Sequence, residues 1–459
     1  MFTTSIDKMA EKTSTISSCF ESVTFNSIRH VLPDKAIIAA CRNADYEYRK
    51  RLITPIITVL HMIIAAIWPE DSFAASWQLT WSSFVAKHPY FAGQLPTNGS
   101  VVKARHRLPL RVWDHLFHWL SQQAQAESEP LARWRSHRVI TADGTCLTVA
   151  DEPELRRAFG RSKGNYGDRK YPLIRLVCLS LAETMTVINY RLGGWRDDEN
   201  KLLGPMLKTL QKDDLLVADR HFAGANLYWI YLQTGLEYVT RLHHKQIVSR
   251  LKKLWHYGPS DFVTRLRIGE TYRRNDPRMP KFVTVRLIRV QVRIRGKRKA
   301  IWLATSLLDP KRYPAREIAQ LYAKRWRIEM LFREFKVHHG ADLLRSKSVE
   351  GIHKEVAARI CAINIVRIIM LQSAADSDVD VMRISFVGAV RTIIAFAPSL
   401  ALQPLRQLPL IYEAMLKQIA SHRVPERPGR LEPRKVTHDK NHYPKLKTAR
   451  ALWRQQNAA

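Results

Sequence analysis

Cysteine is scarce in this chain, with five residues among 459. None of them forms a Cys-x-x-Cys pair, so the spacing indicates neither a disulfide framework nor a zinc site built from thiolates. Small secreted proteins held together by disulfides are therefore excluded as a class. We expect reduced, mostly buried thiols at the five positions, which are Cys19, Cys41, Cys146, Cys178 and Cys361.

The chain also lacks a long uninterrupted apolar segment and a secretory cleavage pattern. Its most apolar early segment, Leu52 to Trp68, contains Pro55 and His61 and is shorter than the about 20 residues that cross a bilayer. We therefore expect a buried helix in an N-terminal helical bundle and no membrane partner. Without a signal segment, the cytoplasm is the expected location.

Acidic residues are few compared with basic ones. The chain has 74 Lys and Arg against 41 Asp and Glu, which gives a formal net charge of +33 and a sequence pI near 10.2. A surplus of this size calls for a large polyanion as the partner. Nucleic acid is the favoured candidate, and an acidic membrane surface is the alternative. When bound to DNA, the protein is expected to associate with the nucleoid.

What is present is a segment of functional side chains at helical spacing. It runs from Tyr322 to Lys336 as Tyr-Ala-Lys-Arg-Trp-Arg-Ile-Glu-Met-Leu-Phe-Arg-Glu-Phe-Lys. At about 100° per residue, Arg325, Glu329 and Lys336 fall within roughly 40° of one another, and Tyr322 joins them. A carboxylate flanked by phosphate-seeking groups suits metal-assisted phosphoryl transfer, whereas the alternative is a surface helix with ion pairs. Glu334 points about 140° away from Glu329, and we expect it to be solvated.

Two other carboxylates lie in strand-like segments. Asp143 follows the run His-Arg-Val-Ile-Thr-Ala, and Asp219 ends the apolar run Leu-Leu-Val-Ala. An Asp at the end of an apolar strand lies where open α/β sheets place their chemistry. Singly, such a residue is more often a turn former or a helix cap, but an unpaired buried carboxylate is strongly disfavoured. Asp143 and Asp219 are therefore candidate site residues.

Together these residues resemble bacterial DDE transposases of insertion sequences, in particular the group with a Tyr-x2-Arg-x3-Glu-x6-Lys signature, often called the IS-four family. Tyr322, Arg325, Glu329 and Lys336 match that signature at every spacing. The resemblance implies an α/β fold. Its ribonuclease-H-like, mixed-sheet catalytic core would contain a β-rich insertion and would be preceded and followed by mainly helical regions.

The resemblance further implies that Asp143, Asp219 and Glu329 are the catalytic and metal-binding triad. Hard Mg²⁺ ions take oxygen ligands and waters, so three carboxylates suffice for a pair of ions, with Mn²⁺ as a substitute. Two ions about 4 Å apart can stabilise both the attacking and the leaving oxygen of a phosphodiester.

The remaining signature residues are expected to bind DNA phosphate. Arg325 would hold a phosphate in a planar fork, Lys336 would supply a point charge and Tyr322 a hydroxyl donor. The alternatives are surface ion pairs for the two cations and a half-buried ring for the tyrosine.

Three more residues match DNA contacts of the family branch that excises DNA through a hairpin. Trp302 matches an aromatic that holds a flipped base, Trp326 a second aromatic, and Arg241 a basic residue near that site. An aromatic stack compensates part of the stacking that a flipped base loses. The alternative for both tryptophans is ordinary core packing.

A helical region before the first strand resembles a helix-turn-helix. The segment from Leu95 offers a turn, a cap at Ser100 and a basic helix, followed by a second helix from Leu110. Because the family's N-terminal region recognises transposon ends, Lys103 and Arg105 are expected DNA contacts. The alternative is a charged bundle surface.

The order of predicted segments is that of a mixed sheet with helices on its faces. Strands are expected at 137–149, 173–181, 185–192, 215–218 and 238–241, then β structure at 261–305 with a turn at 295–297, and then helices at 349–371, 381–397 and 405–419. The predicted regions are a flexible N-terminus at 1–25, a helical DNA-end-binding domain at 26–132, a catalytic domain at 133–345 with a β insertion at about 250–308, a C-terminal helical region at 346–420 and a flexible basic tail at 421–459.

These observations predict a metal-dependent DNA transposase that binds the inverted repeats of an insertion sequence as a homodimer. It would cleave the ends of double-stranded DNA by two-metal hydrolysis, through a hairpin intermediate, and join the 3'-hydroxyl ends to target DNA. Two alternatives stay open: a non-catalytic, sequence-specific DNA-binding protein, and a ribonuclease-H-like nuclease without strand transfer. The adjacent His pairs at 243–244 and 338–339 are not expected to bind metal, because neighbouring side chains diverge.

Overall fold

The structure is a computed structural model that describes residues 26–49, 51–68, 72–87, 90, 93, 95–161, 163–164, 167–168, 171–243, 246–294, 297–402 and 405–425. The predicted flexible N-terminus, residues 426–459 of the basic tail, residues 295–296 of the predicted turn and His244 lie outside the described residues.

Strands and helices alternate through the middle of the chain, and helices make up both ends of the described part. The strands are β1 (Arg133–Trp134), β2 (His137–Thr148), β3 (Lys163–Gly164), β4 (Gly167–Asp168), β5 (Leu173–Leu181), β6 (Val187–Gly194), β7 (Leu215–Ala218), β8 (Glu237–Arg241), β9 (Lys253–Gly258), β10 (Asp261–Arg267), β11 (Phe282–Ile294) and β12 (Lys297–Thr305). The helices are α1 (Asn26–Val31), α2 (Asp34–Asn43), α3 (Pro55–Ile67), α4 (Phe73–Lys87), α5 (Asn98–Arg107), α6 (Leu110–Ser128), α7 (Pro153–Phe159), α8 (Glu199–Leu207), α9 (Ala225–Gln233), α10 (Glu270–Asn275), α11 (Ala315–Ala323), α12 (Trp326–Arg333), α13 (Val349–Asp376), α14 (Phe386–Leu402) and α15 (Leu408–Ser421).

In the large sheet, β2 lies between β5 and β7. The strand order of the sheet is β6-β5-β2-β7-β8-β12-β11-β10-β9. β5 and β6 continue antiparallel on one side of β2, whereas β7 and β8 run parallel to it on the other side. A strand that continues on one side into two strands of an antiparallel meander, and on the other side into two strands parallel to it, is the arrangement of a ribonuclease-H-like core. The predicted fold class is confirmed.

The β-rich insertion extends this same sheet. β12 pairs antiparallel with β8, with Leu303 opposite Arg241, and β11 and β10 follow outward. β9 forms the outer edge and pairs with β10 through two irregularities in register. The insertion is thus hydrogen-bonded to the core strands and is not a separate sheet.

Alternating side chains give the sheet two different faces. Val139 and Val217 pack with Leu321 of α11 on one face. Ala142 and Ala218 pack on the other face, in a core that also contains residues of α8 and α9. Because side chains alternate along a strand, Asp143 and Asp219 are in phase with the first face. The two acids therefore point toward α11 and α12.

Helices from before and after the sheet share one hydrophobic core. Apolar residues of α1–α3 and α6 cluster with those of α13–α15 and with Ile174 and Leu176 of β5. α3 is buried along almost its whole length, so the predicted buried helix is confirmed. Among the described residues, α13 is the helix long and apolar enough to cross a membrane, but its most apolar stretch is almost entirely covered by protein.

Buried charges within this framework are paired. Arg138 of β2 forks around Asp214, with both side chains at or below 5% exposure. The expectation that Glu334 is solvated is wrong: its side chain is 12% exposed and pairs with Arg367 of α13. Burial raises the pKa of Glu334, while Arg367 opposes the rise. The error arose because α13 covers a helix face that the local sequence alone leaves open.

Two buried histidines predict a loss of stability in acid. Burial lowers the pKa of His61 and of His339 to about 3, well below the unfolded value near 6.5. The unfolded chain therefore binds protons first, and the free energy of unfolding falls as the pH drops from about 6.5 toward 3, by up to about 1.4 kcal/mol per pH unit for each histidine. Denaturant titrations at pH 7 and pH 5 measure this slope. The His61→Phe variant keeps the ring contacts with Phe73 and Trp77 and should flatten the slope by about one proton; an unchanged slope would contradict the assignment.

Candidate active site

The two aspartates lie side by side on neighbouring parallel strands. Ala142 of β2 is in register with Ala218 of β7, so Asp143 and Asp219 are the next residues on strands about 4.8 Å apart. The Gly144 amide donates to Asp143 Oδ1 at 2.8 Å, and the Arg220 amide donates to Asp219 at 2.6 Å. Asp219 directly follows the last residue of β7, and Asp143 lies within β2 directly after its last pair with β7, so the parallel register brings the two acids together.

The signature segment is not one uniform helix. α11 ends at Ala323, α12 begins at Trp326, and a π-helical turn at Glu334–His338 follows. The expected constant turn of about 100° per residue therefore does not hold over the whole signature. Tyr322, Arg325 and Glu329 nevertheless lie on the side of the two helices that faces the aspartates.

Arg325 lies among the acidic groups. Its Nη1 atom is 2.8 Å from Glu329 Oε1 and 4.0 Å from Asp143 Oδ2. The charge of Asp219 contributes to a raised pKa of Arg325. Tyr322 interacts electrostatically with both Asp219 and Arg325. The Arg325 side chain is only 8% exposed, so its charge is held in place and poorly screened. The guanidinium thus lies within ion-pair distance of Glu329 and Asp143 and interacts electrostatically with Asp219.

The surroundings of Asp143 disfavour its charged form compared with an ordinary aspartate. Burial raises the pKa of Asp143 to about 6, and the charges of Glu199 and Glu329 act in the same direction. The Gly144 amide and Arg325 oppose that rise. Repulsion among carboxylates of this kind is relieved by a cation placed between them.

Arg241 and Trp326 lie close to this group. Arg241 is half-buried at the end of β8, and its charge acts on Tyr322, whose pKa burial raises to about 12. Trp326 is 57% exposed, and its ring lies 4.6 Å from the guanidinium carbon of Arg325. Lys336 lies in the π-helical turn, and within the described part of the chain its ammonium group makes no hydrogen bond or ion pair to the three acids.

Trp302 is not brought to the acids. It packs on the opposite face of the sheet, edge-on to Phe262 with ring centroids 5.6 Å apart, in the core that includes α9. The alternative of ordinary core packing describes its environment better than an open base-binding site. Register explains the difference, because Trp302 pairs with Arg289 and so alternates with Leu303, which lies on the acid-bearing face.

The N-terminal basic helix also differs in detail from the expectation. α5 begins after Thr97, whose side chain accepts from the Ser100 amide at 3.3 Å, so the cap is not Ser100. Lys103 is exposed. Arg105 turns inward: its guanidinium lies 4.0 Å from the centre of the Phe73 ring and donates toward Ser346 at 3.5 Å.

Glu199 lies near the site, although no motif or spacing in the sequence marks it as a site residue. It lies in the first turn of α8, its side chain is 15% exposed, and its charge acts on Asp143. The segment around it, Gly-Gly-Trp-Arg-Asp-Asp-Glu-Asn, reads as an ordinary turn followed by a helix start. Only the packing of α8 against β5 and β6 brings the Glu199 carboxylate beside Gly144 of β2, next to Asp143.

The donor set suits a hard divalent cation in type, since all of its members are carboxylates. Across the described ranges, however, no three His, Cys, Asp or Glu side chains are close enough together to hold a metal ion as they lie. The Nη1 atom of Arg325 lies near both Asp143 and Glu329, so the guanidinium occupies space close to both carboxylates. Of the adjacent His338 and His339, His339 is buried with Nδ1 2.8 Å from the Ala66 carbonyl oxygen, and both rings lie near the Phe386 ring.

Comparison with known proteins agrees with this geometry. Residues 134–365, about half of the chain, match the family described as Transposase DDE domain. The chain therefore belongs to the DDE transposase family, and the predicted relationship to insertion-sequence transposases of the IS-four group is confirmed.

Two curated relatives come from Escherichia coli strain K12. Transposase InsG for insertion sequence element IS4 is 26% identical over 289 residues, which is 60% of this chain and 61% of InsG. Putative transposase InsZ is 26% identical over 142 residues, 31% of this chain and 48% of InsZ. The chain thus aligns with about half to three fifths of the length of these relatives.

A solved structure also resembles the fold, at a low level. It is a cryo-EM structure of a piggyBac transposase synaptic complex with hairpin DNA, with a TM-score of 0.42 and 12% identity over 92% of this chain and 87% of that chain. A likeness this weak supports no conclusion about the function of this chain.

Proposed function

We propose that this protein is a metal-dependent DNA transposase that cleaves the ends of an insertion sequence and joins them to target DNA. One observation carries the proposal: Asp143 and Asp219, at equivalent positions of adjacent parallel strands, face Glu329 across a guanidinium of the complete Tyr-x2-Arg-x3-Glu-x6-Lys signature. Family membership and the charge of +33 support a nucleic-acid substrate.

The residues of the chain have separable roles in this proposal. Asp143, Asp219 and Glu329 would hold two Mg²⁺ ions, for which Mn²⁺ can substitute, and these ions would supply charge stabilisation at the attacking and leaving oxygens. Arg325 would leave the acids and hold a phosphate in its planar fork. Tyr322 would keep Arg325 oriented from the buried side.

Basic residues outside the acids would also contact DNA: Lys103 is exposed, and Lys336 and Arg241 are partly exposed. Lys336 and Lys103 would bind backbone phosphates, the first beside the site and the second on the N-terminal helix that recognises the inverted repeats. Arg241 would add positive charge on the Tyr322 side of the site. We further propose that the protein acts as a homodimer, so that both ends are held together, in the bacterial cytoplasm where the chromosome lies.

The function is tested with purified protein and DNA that carries the short inverted repeats flanking its coding region. Divalent-ion-dependent nicking at the repeat ends, followed by joined product from pre-cleaved ends, is the expected result. Nicking without joined product would instead identify a nuclease, and binding without nicking a DNA-binding protein without catalysis. Accumulation of a covalently closed hairpin at the flank would support the hairpin route.

The two tryptophans give a matched pair for the base-stacking step. Because Trp326 is 57% exposed beside Arg325, the Trp326→Ala variant should lower hairpin yield by about tenfold, the value of one lost stacking interaction, with little change in melting temperature. The Trp302→Ala variant should instead lower the melting temperature, because its ring packs in the sheet core. Fluorescence of a 2-aminopurine base in the hairpin reports stacking. If quenching of the 2-aminopurine fluorescence is lost only in the Trp302→Ala variant, Trp302 and not Trp326 stacks on the base.

A further inference from the structure

Gly144, next to Asp143 in β2, leaves room for a second carboxylate. A Cβ atom at Gly144 would lie 2.4 Å from Cδ of Glu199 and 2.6 and 2.8 Å from its two oxygens. The Glu199 carboxylate therefore occupies the space that any larger residue at this position would fill. It lies against the strand backbone directly beside Asp143.

Glu199 is fixed in that position by several contacts. Arg175 of β5 donates from Nη1 to Glu199 Oε1 at 2.6 Å, and both side chains are less than a fifth exposed. Arg175 is itself held by the Trp195 carbonyl at 3.3 Å and lies over the Trp195 ring. Asp198 caps the same turn by accepting from the Asn200 amide at 2.7 Å. The carboxylate thus has a defined position and a partly shielded charge.

The first turn of α8 also reaches the strand that carries the second aspartate. Asn200 Nδ2 donates to the His221 carbonyl at 3.2 Å, two residues beyond Asp219. His221 Nε2 is 3.8 Å from Glu199 Oε2. One helical turn therefore contacts the chain just after both aspartates, from the sheet face opposite Arg325.

We propose that Glu199 is a fourth carboxylate of the active site, a positioning residue whose negative charge strengthens divalent-cation binding by Asp143 and Asp219 without belonging to the signature triad. The inference rests on the proposed function and adds to it a residue from α8. Two groups act on Asp143 from opposite faces of the sheet: Arg325, which repels a cation, and Glu199, which attracts one. Arg175 neutralises Glu199 only in part, because an ion pair leaves a dipole whose negative end faces β2.

The test measures Mn²⁺ binding to the DNA-free protein by calorimetry or by electron paramagnetic resonance. The Glu199→Gln variant keeps the shape of the side chain and an acceptor for Arg175 but loses the charge, and it should bind Mn²⁺ about three- to tenfold more weakly at low salt. The difference should shrink as ionic strength rises, which a purely structural role would not produce. The Glu199→Asp variant, which keeps the charge, should recover much of the affinity.

Controls separate this inference from the proposed function. Glu317→Gln removes a carboxylate that is paired with Arg135 outside the site and should leave Mn²⁺ affinity unchanged. If wild-type binding is lost in Asp143→Asn, the metal site stands; unchanged affinity in Glu199→Gln then overturns the role of Glu199 alone. Equal losses in the Gln and Asp variants would also overturn it, because they would show a packing effect. If the wild type binds no Mn²⁺, the proposed metal site and this inference fail together.

The Gly144→Ala variant tests the role of Glu199 without changing Glu199 itself. The added methyl group would displace the Glu199 carboxylate, and so weaken the contact with Arg175, without removing any charge from the protein. We expect a loss of Mn²⁺ affinity similar to that of Glu199→Gln, and no further loss when the two changes are combined, because both act on one group. Additive losses would contradict a shared cause.

Discussion

Asp143→Asn, Asp219→Asn and Glu329→Gln are each expected to reduce cleavage of DNA ends by roughly a thousandfold or more, because each removes one carboxylate from a site that needs all three to hold its cations. These substitutions keep the size of the side chain, so the fold is expected to survive. Binding to the inverted repeats should stay near the wild-type value, since it depends on basic residues elsewhere. Gel-based cleavage and band-shift assays measure the two properties on the same DNA.

The matched control is again Glu317→Gln, an exposed carboxylate on α11 that pairs with Arg135. It should cleave like the wild type. Robust cleavage by any one of the three site variants would remove that residue from the site, and robust cleavage by all three would refute the catalytic proposal. Loss of both binding and cleavage would point to unfolding, which circular dichroism distinguishes.

Arg325→Ala is expected to change two properties in opposite directions. The guanidinium is 2.8 Å from Glu329 and 4.0 Å from Asp143, so it competes with a divalent cation for the same oxygens. Its removal should raise Mn²⁺ affinity of the DNA-free protein by about tenfold. Cleavage should nevertheless fall by about a hundredfold, because no planar fork remains to position the phosphate.

Two variants sharpen this prediction. Arg325→Lys keeps the charge but not the fork, so it should leave Mn²⁺ affinity near the wild-type value while still impairing cleavage. Arg333→Ala removes an exposed arginine from the same helix and should affect neither measurement. Weaker Mn²⁺ binding by Arg325→Ala would show that the guanidinium supports the acids and does not compete with a cation.

Much of the sheet could be predicted from the sequence, because each core strand is an apolar run bounded by turn residues. β2, β5, β7 and β8 lie within one or two residues of their predicted bounds. The shared face of Asp143 and Asp219 follows from alternation along two parallel strands. Local patterns suffice for these features, since they depend on neighbours in the sequence.

Other features depend on contacts between distant segments. The local spacing predicts a solvated Glu334, but Arg367 of α13 pairs with its carboxylate and buries it. The face of Trp302 depends on how β12 pairs with β11, which no local pattern fixes. Glu199 comes to Asp143 only through the packing of α8. The break between α11 and α12 likewise lacks a proline or glycine to mark it, and Lys324 and Arg327 instead pair there with Glu183.

The core shared by the first and last helices has a consequence for synthesis of the protein. α3 is apolar on nearly every side and is covered in large part by α13, which begins at Val349, about 280 residues later. At about 5 to 20 residues per second, a ribosome takes on the order of 15 to 60 seconds to cover that interval. The nascent chain must keep α3 from aggregating throughout, so truncated products that stop before Val349 are expected to be insoluble, and only completed translation yields a folded transposase.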